Sequence, residues 1–397
     1  MPRPAPLTGR RILDLSRVLA GPWSTMILAD LGAEVIKVEN PNRGDDTRAW
    51  KPPSAGGEAA YYLCANRNKK SVLIDLSCAA GQAAVRALAA TSDVLVENYK
   101  LGGLDKFGLD YATLSAEFPS LIYCSISGYG RASPRAAEPG YDYVIQAESG
   151  LMSINGYPDG PPTRVGISIA DMFTGMAATQ AILAALIAKD RDGLGQHLDI
   201  ALFDAQLSLL ANVGSSALIS GEDALRYGNG HPTVVPYQTF ATSDADIVIA
   251  VGNDRQFGFL CRKLLGRPEL ADDPRFAVNA ARVVNRVALL AILEPLVAAQ
   301  PSAYWLAGLR EAGVPCGTVR TVREALAAPE TLARGMVQTI PHPTAGKIDL
   351  IGSPLKFSGT PVVVPIAPPL HGADSAAVLG DLLGYDAAQI AAAAGQT

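Results

Sequence analysis

The sequence predicts an α/β fold in which a large domain, built on a parallel and doubly wound sheet, is joined to a smaller α+β domain. Three observations predict it. Short β-branched runs alternate with helical patterns through the first half of the chain. The first of these alternations carries the punctuation of a βαβ unit. At 397 residues the chain also exceeds the length at which one core usually stops growing, and its texture changes beyond about residue 220.

Taken in order, RRILDLS reads as a strand, RVLAGP as a loop, PWSTMILADLG as a helix and AEVIKVE as the returning strand. Pro22 suits a first helical turn, Gly21 lets the chain bend before it, and Gly32 is placed to end the helix in a left-handed cap. Further strands are expected at SVLIDL from 71, DVLVEN from 93, LIYCSIS from 121 and HLDIAL from 197, with AAGQAAVRALAA as an intervening helix. Ligands of such sheets sit where strands end and helices begin, so RVLAGP and the segment after DVLVEN are candidate site walls. The expected division is 1–205 for the first part of the large domain, 206–224 for a linker and 225–325 for the small domain, which opens with the hairpin QTFATSDADIVIAVG. Residues 326–397 are expected to link back and return to the large domain.

Composition narrows the function. Apolar residues make up 49% and charged residues 18%, which suits a folded enzyme and argues against extensive disorder. A net charge of −5 with interspersed signs favours neither nucleic acid nor an anionic membrane as partner. MPRPAPLTGRR has no apolar signal-like region and no segment has 18 uninterrupted apolar residues, so a cytoplasmic protein is expected. Five widely spaced cysteines without a CxxC, and four scattered histidines, predict reduced thiols and no metal site. GYGRAS and GNGHPT fall short of a dinucleotide fingerprint, and no GxxxxGK[ST] stretch is present.

In PPTRVGISIADMFTGMAATQAILAALIAK, Asp171 is the only acidic residue of a long and mostly apolar helical stretch. It reads either as a cap of the helix's first turn or as a carboxylate held at the mouth of an apolar pocket and poised to attack an acyl carbon.

The pieces RVLAGP, DLGAEVIKVE, GDDTR, NRNKKS, DVLVENY, SGYG, PGYD, SIADMFTG and GVPCGTV, in this order and nearly end to end, resemble the class III CoA-transferase family (the CaiB–BaiF or formyl-CoA transferase family). The resemblance implies a Rossmann-like large domain with a small domain, and a homodimer of two protomers interlocked like rings. It makes coenzyme A and acyl-CoA substrates, with no tightly bound cofactor, and makes Asp171 the nucleophile that forms acyl-anhydride and aspartyl-CoA thioester intermediates. Backbone N–H groups near Asp171 are expected to stabilise the oxyanions.

Val18, Ala20, Lys37, Leu73, Asn98, Tyr99 and Lys106 carry over as expected CoA contacts. Val18, Ala20 and Leu73 read equally as core, and Lys37 and Lys106 as surface lysines or as partners for phosphates. The racemase branch of the family shares the aspartate but carries a histidine where this chain has Tyr141, so transferase is the first reading and racemase the second. Asp142, beside Tyr141, either orients the nucleophile's surroundings or caps the helix that follows it. NRNKKS, GDDTR and GNGHPTVVPYQTF resemble the branch using succinyl-CoA with dicarboxylates of the glutarate, itaconate, citramalate or malate type. A free carboxylate on the acyl group calls for an arginine fork, with Arg67 first and Arg48 second; His231 is a candidate for the acyl pocket.

Overall fold

The computed structural model describes residues 3–396. Six parallel strands form the main sheet: β1 (Arg11–Asp14), β2 (Glu34–Glu39), β3 (Lys69–Leu73), β4 (Val94–Glu97), β5 (Ile122–Ser127) and β6 (His197–Ala201). Each falls within a run read as a strand from its β-branched residues, except that β3 begins two residues earlier. In space they lie in the order β3-β2-β1-β4-β5-β6, the doubly wound order in which the direction of strand addition reverses between β1 and β4.

Alternate residues of each strand enter different cores. Ile12, Val35, Val96 and Cys124 pack with Leu28, Ala178 and Ile182 on one face. Leu13, Ile36, Leu95 and Tyr123 pack with Val85 and Leu88 on the other. Burial of both faces explains why the strands read as continuous apolar runs rather than as alternating ones. The first face is covered by α1 (Ala20–Asp30) and α5 (Ile169–Asp192), the second by α2 (Ala79–Ala90) and the short α3 (Tyr111–Glu117). Gly32 follows α1 with φ of 97°, as its place in the sequence suggests.

Helices α1 and α5 cross at Gly175, where a Cβ would stand 2.6 Å from the carbonyl oxygen of Ala20. Glycine is therefore required for the approach that sets the start of α1 beside the start of α5. The latter, 24 residues long, is long and apolar enough by length and composition to cross a membrane. Here one side of it serves the interior, with Ala178, Ile182, Ala185 and Leu186 buried in the core of the first sheet face, while Met176 and Ile187 remain exposed.

The chain divides into two compact units, residues 1–151 with 164–220 and 329–397, and residues 152–163 with 221–328. Segment 152–163 thus belongs to the smaller unit, an excursion that the expected division of the chain does not contain. In that unit β7 (Tyr237–Ala241), β8 (Asp246–Ala250) and β9 (Cys316–Thr318) form an antiparallel sheet in the order β9-β8-β7. Its own core includes Phe257, Leu289, Leu293, Trp305 and Leu309.

After it, β10 (Val337–His342) and β11 (Gly346–Ile351) form a hairpin, and the tail reaches the edge strand β3. Asp374 accepts from the Ser71 N–H at 2.8 Å and Ser375 Oγ from the Leu73 N–H at 3.0 Å. The tail thereby satisfies donors that an open sheet edge would expose.

Candidate active site

The crevice where strand order reverses is walled by the loops after β1 and β4, and the first of these is tightly held. Asp14, at the end of β1, is fully buried and accepts from the Ser16 N–H at 2.9 Å, from Thr25 Oγ1 at 2.6 Å and from Lys69 Nζ at 3.2 Å. Lys37 is also fully buried, paired with Asp45 at 2.8 Å and donating to the Ser16 carbonyl at 2.9 Å. Burial works against its charge, but Asp45, Asp14 and Glu39 outweigh it and hold the ammonium at a pKa of about 12. Lys37 is therefore a buried brace of the loop with its charge already compensated, although it also lines the cavity of about 400 Å³ beside that loop.

Val18 follows with φ of 71°, a strained conformation for a β-branched residue and one worth of order 1–3 kcal/mol. The surrounding bonds hold it there. The turn then enters α1, whose first residues are not capped by any side chain. Leu19 and Ala20, the N-cap and first residue of α1, where a helix leaves backbone N–H groups without intrahelical partners, both line a cavity of about 180 Å³.

Asp171 lines the same cavity from the first turn of α5. It is not the cap. The cap is Asp142, the first residue of α4 (Asp142–Glu148), whose Oδ1 accepts from the Ala170 N–H at 2.8 Å and the Asp171 N–H at 3.2 Å. Sequence reasoning offered Asp142 as a cap of the helix that follows it; the helix it caps begins 27 residues later. Among the described residues no side chain bonds the Asp171 carboxylate. Burial first, and the charge of Asp142 second, raise its pKa to about 7. Tyr61 stands nearby with its hydroxyl 3.2 Å from Ser168 Oγ, and Trp50 packs edge-on against it at 4.9 Å.

Because Asp142 engages the Ala170 and Asp171 N–H groups, these are not free to bind an oxyanion, which corrects the expectation placed on the backbone around the nucleophile. The uncapped start of α1, which lines the same cavity, offers such donors.

A second cavity, of about 400 Å³, adjoins the first and shares Arg17, Tyr99 and Lys100 with it. Its rim carries the exposed cations Arg43, Lys100 and Lys106. Asn98 fixes Arg17 by accepting from its N–H at 2.9 Å and donating to its carbonyl at 2.8 Å. The Arg17 guanidinium meets Asp46 at 3.1 Å and lies 5.5 Å from the centre of the Tyr99 ring, while its buried Nε has no partner among the described residues. Val18, Ala20, Asn98, Tyr99 and Lys106 are thus gathered at the two cavities. Leu73 is not: it packs against Gly372, and its neighbours Ile74 and Asp75 line the second cavity instead.

The two arginines read as acyl-carboxylate forks are already engaged. Arg48 is buried and bonds Glu39 through Nε at 2.8 Å and Nη2 at 2.6 Å, and Glu58 through Nη1 at 2.9 Å. Arg67 is buried in a two-point pair with Asp30, at 2.8 and 2.5 Å, with its remaining nitrogen on the Ile351 carbonyl at 3.0 Å. Neither lines the Asp171 cavity. Its cations are Arg17, which heads the RVLAGP motif and is not among the contacts expected from the sequence, and Lys100, one residue beyond DVLVENY.

Tyr141 lines this cavity and is 65% exposed, so it is open to a ligand, and no histidine lines the cavity with it. His231 lies in the smaller unit, where Nδ1 accepts from the Thr233 N–H at 3.2 Å and the ring leans on Tyr237. Those are the contacts of a loop-stabilising histidine.

Comparison with known proteins gives the family. The model of CoA-transferase family III matches residues 7–375. The chain is 45% identical over 386 residues to the succinate–glutarate CoA-transferase of Agrobacterium fabrum, covering 96% of each chain. It is 43% identical over 381 residues to the human succinyl-CoA:glutarate CoA-transferase, covering 96% of this chain and 87% of that one. Among solved structures, a CAIB/BAIF family protein from Brucella suis superposes with a TM-score of 0.85 at 45% identity, over 96% of this chain and 100% of that one. A half-buried and unbonded aspartate beside a basic crevice, on this fold and with these relatives, places the chain in CoA-transferase family III.

Proposed function

We propose that the protein transfers CoA from succinyl-CoA to a small dicarboxylic acid of the glutarate type, with Asp171 as covalent nucleophile. One observation carries the reading: among the described residues, the only carboxylate in the Asp171 cavity that lacks a hydrogen-bonding or ionic partner and is raised in pKa shares that cavity with the uncapped start of α1. The CoA phosphates find Arg43, Lys100 and Lys106 at the second cavity, and the pantetheine arm passes Arg17 and Tyr99 to reach Asp171. The relatives named for succinyl-CoA and glutarate support the choice of acids.

In the reaction, the Asp171 carboxylate attacks the donor's thioester carbon and CoA leaves as thiolate, giving a mixed anhydride. The thiolate then attacks the aspartyl carbonyl, freeing the donor acid and leaving an aspartyl-CoA thioester. The acceptor carboxylate attacks that thioester, releasing the thiolate a second time. Its attack on the acceptor's acyl carbon yields the new acyl-CoA and restores Asp171. At each stage the negative oxygen is met by the N–H groups of Leu19 and Ala20. A homodimer is part of the proposal, supported by an apolar groove of about 620 Å³ between α1, α5 and β11 in which Met176 is 47% exposed. Sedimentation reads it as the mass of two chains.

Incubation with succinyl-CoA and a panel of acids tests the assignment. New thioesters of glutarate or a similar diacid are expected. Exchange of an α-proton in deuterated water without new thioesters would instead make the protein a racemase. Arg17→Ala is expected to raise KM for succinyl-CoA about tenfold, the worth of one charge-assisted hydrogen bond, with kcat changed less. An unchanged KM removes Arg17 from the acyl-CoA path.

A further inference from the structure

We propose that Asp142 is the positioning residue of Asp171, holding the first turn of α5 by its backbone while keeping that turn's N–H groups away from the nucleophile's own carboxylate. The inference rests on Asp171 being the nucleophile and goes beyond it by naming what makes that aspartate reactive.

A carboxylate in the first turn of a helix is ordinarily stabilised by the free N–H groups and the positive end of the helix dipole, which lower its pKa and blunt it as a nucleophile. Ser168 stands at the N-cap of α5 and makes no side-chain cap, so those donors would be open to Asp171. Asp142 takes two of them, at Ala170 and Asp171 itself. The intruding carboxylate is 7% exposed and is fixed in turn: its Oδ2 accepts from Gln146 Nε2 at 2.7 Å, and Gln146 Oε1 accepts from the Val165 N–H at 2.9 Å. No cation pairs with Asp142 among the described residues, so no ion pair neutralises its charge beside Asp171.

The other charged and titratable groups facing Asp171 do not cancel this. Tyr61 bonds Ser168, Arg17 bonds Asp46, and Tyr141, Lys100 and Glu138 line the cavity without a bond to the nucleophile. Asp171 is left with fewer donors than its place on the helix would supply and with a like charge beside it, which is the condition of a basic carboxylate. Tyr141 precedes Asp142 directly, so the same anchor also fixes the tyrosine at the cavity mouth.

The test compares full-length wild type with Asp142→Asn, Asp142→Thr and Asp142→Glu. Two quantities are read: the pH dependence of kcat/KM for CoA transfer from succinyl-CoA, and the titration of the Asp171 carboxyl ¹³C signal, identified by its loss in Asp171→Asn. Asn and Thr keep an acceptor and remove the charge. In whichever of them folds, the acidic limb and the ¹³C midpoint are expected to fall by roughly 1 pH unit. A loss of kcat of about 100-fold is expected with it, with KM for the thioester little changed. Glu, which retains the charge, is expected to return the midpoint towards wild type.

A midpoint that stays put in the Asn or Thr variant overturns the proposal and makes Asp142 a structural cap alone. The ¹³C titration needs no turnover, so it judges Asp142 even if transfer activity is absent. Undiminished transfer in Asp171→Ala, by contrast, removes the nucleophile reading on a separate sample.

Discussion

Asp171→Ala is expected to lower kcat for CoA transfer by at least three orders of magnitude, about 4 kcal/mol of barrier, with CoA still bound at the cavity next door. Nothing else lining the Asp171 cavity replaces it: Asp46 is paired with Arg17, and Glu138 is drawn off to Arg135 at 2.7 Å. Hydroxylamine added during turnover is expected to modify residue 171 and no other. The isosteric Asp171→Asn adds a stability signature.

In the folded protein the carboxyl titrates at about 7, whereas in the unfolded chain it titrates in the ordinary aspartate range near 4. The fold thus holds a proton that the unfolded chain releases. The associated stability is fully present below about pH 4 and is lost as pH rises through about 7. At pH 8 the wild type therefore bears the cost of a half-buried charge beside Asp142, and Asp171→Asn is expected to be more stable there by on the order of 2 kcal/mol. The gap should narrow steadily as pH is lowered towards 4. Thermal unfolding of the two proteins across that range checks it, and equal midpoints at every pH would mean that Asp171 is not held at a cost.

That Asp171 stands out in the sequence follows from local chemistry. A single acid in an apolar helix conflicts with its surroundings, and such conflicts are visible along the chain. The six strands were legible for the same reason, since burial of both sheet faces writes an apolar run into each of them. Pairings across long separations were not. Asp142 reaches α5 over 28 positions, Arg67 reaches Asp30 over 37, and Lys37 is compensated by Asp45 only because the loop after β2 folds back.

A cation three residues before a helix start and a cation in a buried pair look identical in one dimension. Arg17 was accordingly overlooked and Arg67 favoured. Likewise, no periodicity reports that residues 152–163 leave the larger unit and come back at 164.

Arg67→Ala is where that reassignment has its largest measurable effect, with an expected loss of about 3–5 kcal/mol of stability. Asp30 is the last residue of α1, where the negative end of the helix dipole already disfavours a carboxylate, and it is buried. The Arg67 fork neutralises it and, through the Ile351 carbonyl, ties the end of α1 to β11; Asn68 alone would remain, donating at 2.8 Å. Removing the guanidinium leaves a buried charge with one neutral donor. Replacing both partners by apolar residues, Arg67→Met with Asp30→Leu, is expected to recover most of the loss, because the penalty lies in the unpaired charge rather than in the absent pair. Urea unfolding of the single and double variants measures this. The catalytic comparison is equally direct, since a structural arginine affects every substrate alike. The ratio of kcat/KM for succinyl-CoA to that for acetyl-CoA should be unchanged in Arg67→Ala. A stable variant that loses succinyl-CoA selectively would return Arg67 to the acyl pocket and displace Arg17 and Lys100 as the cations that meet the substrate.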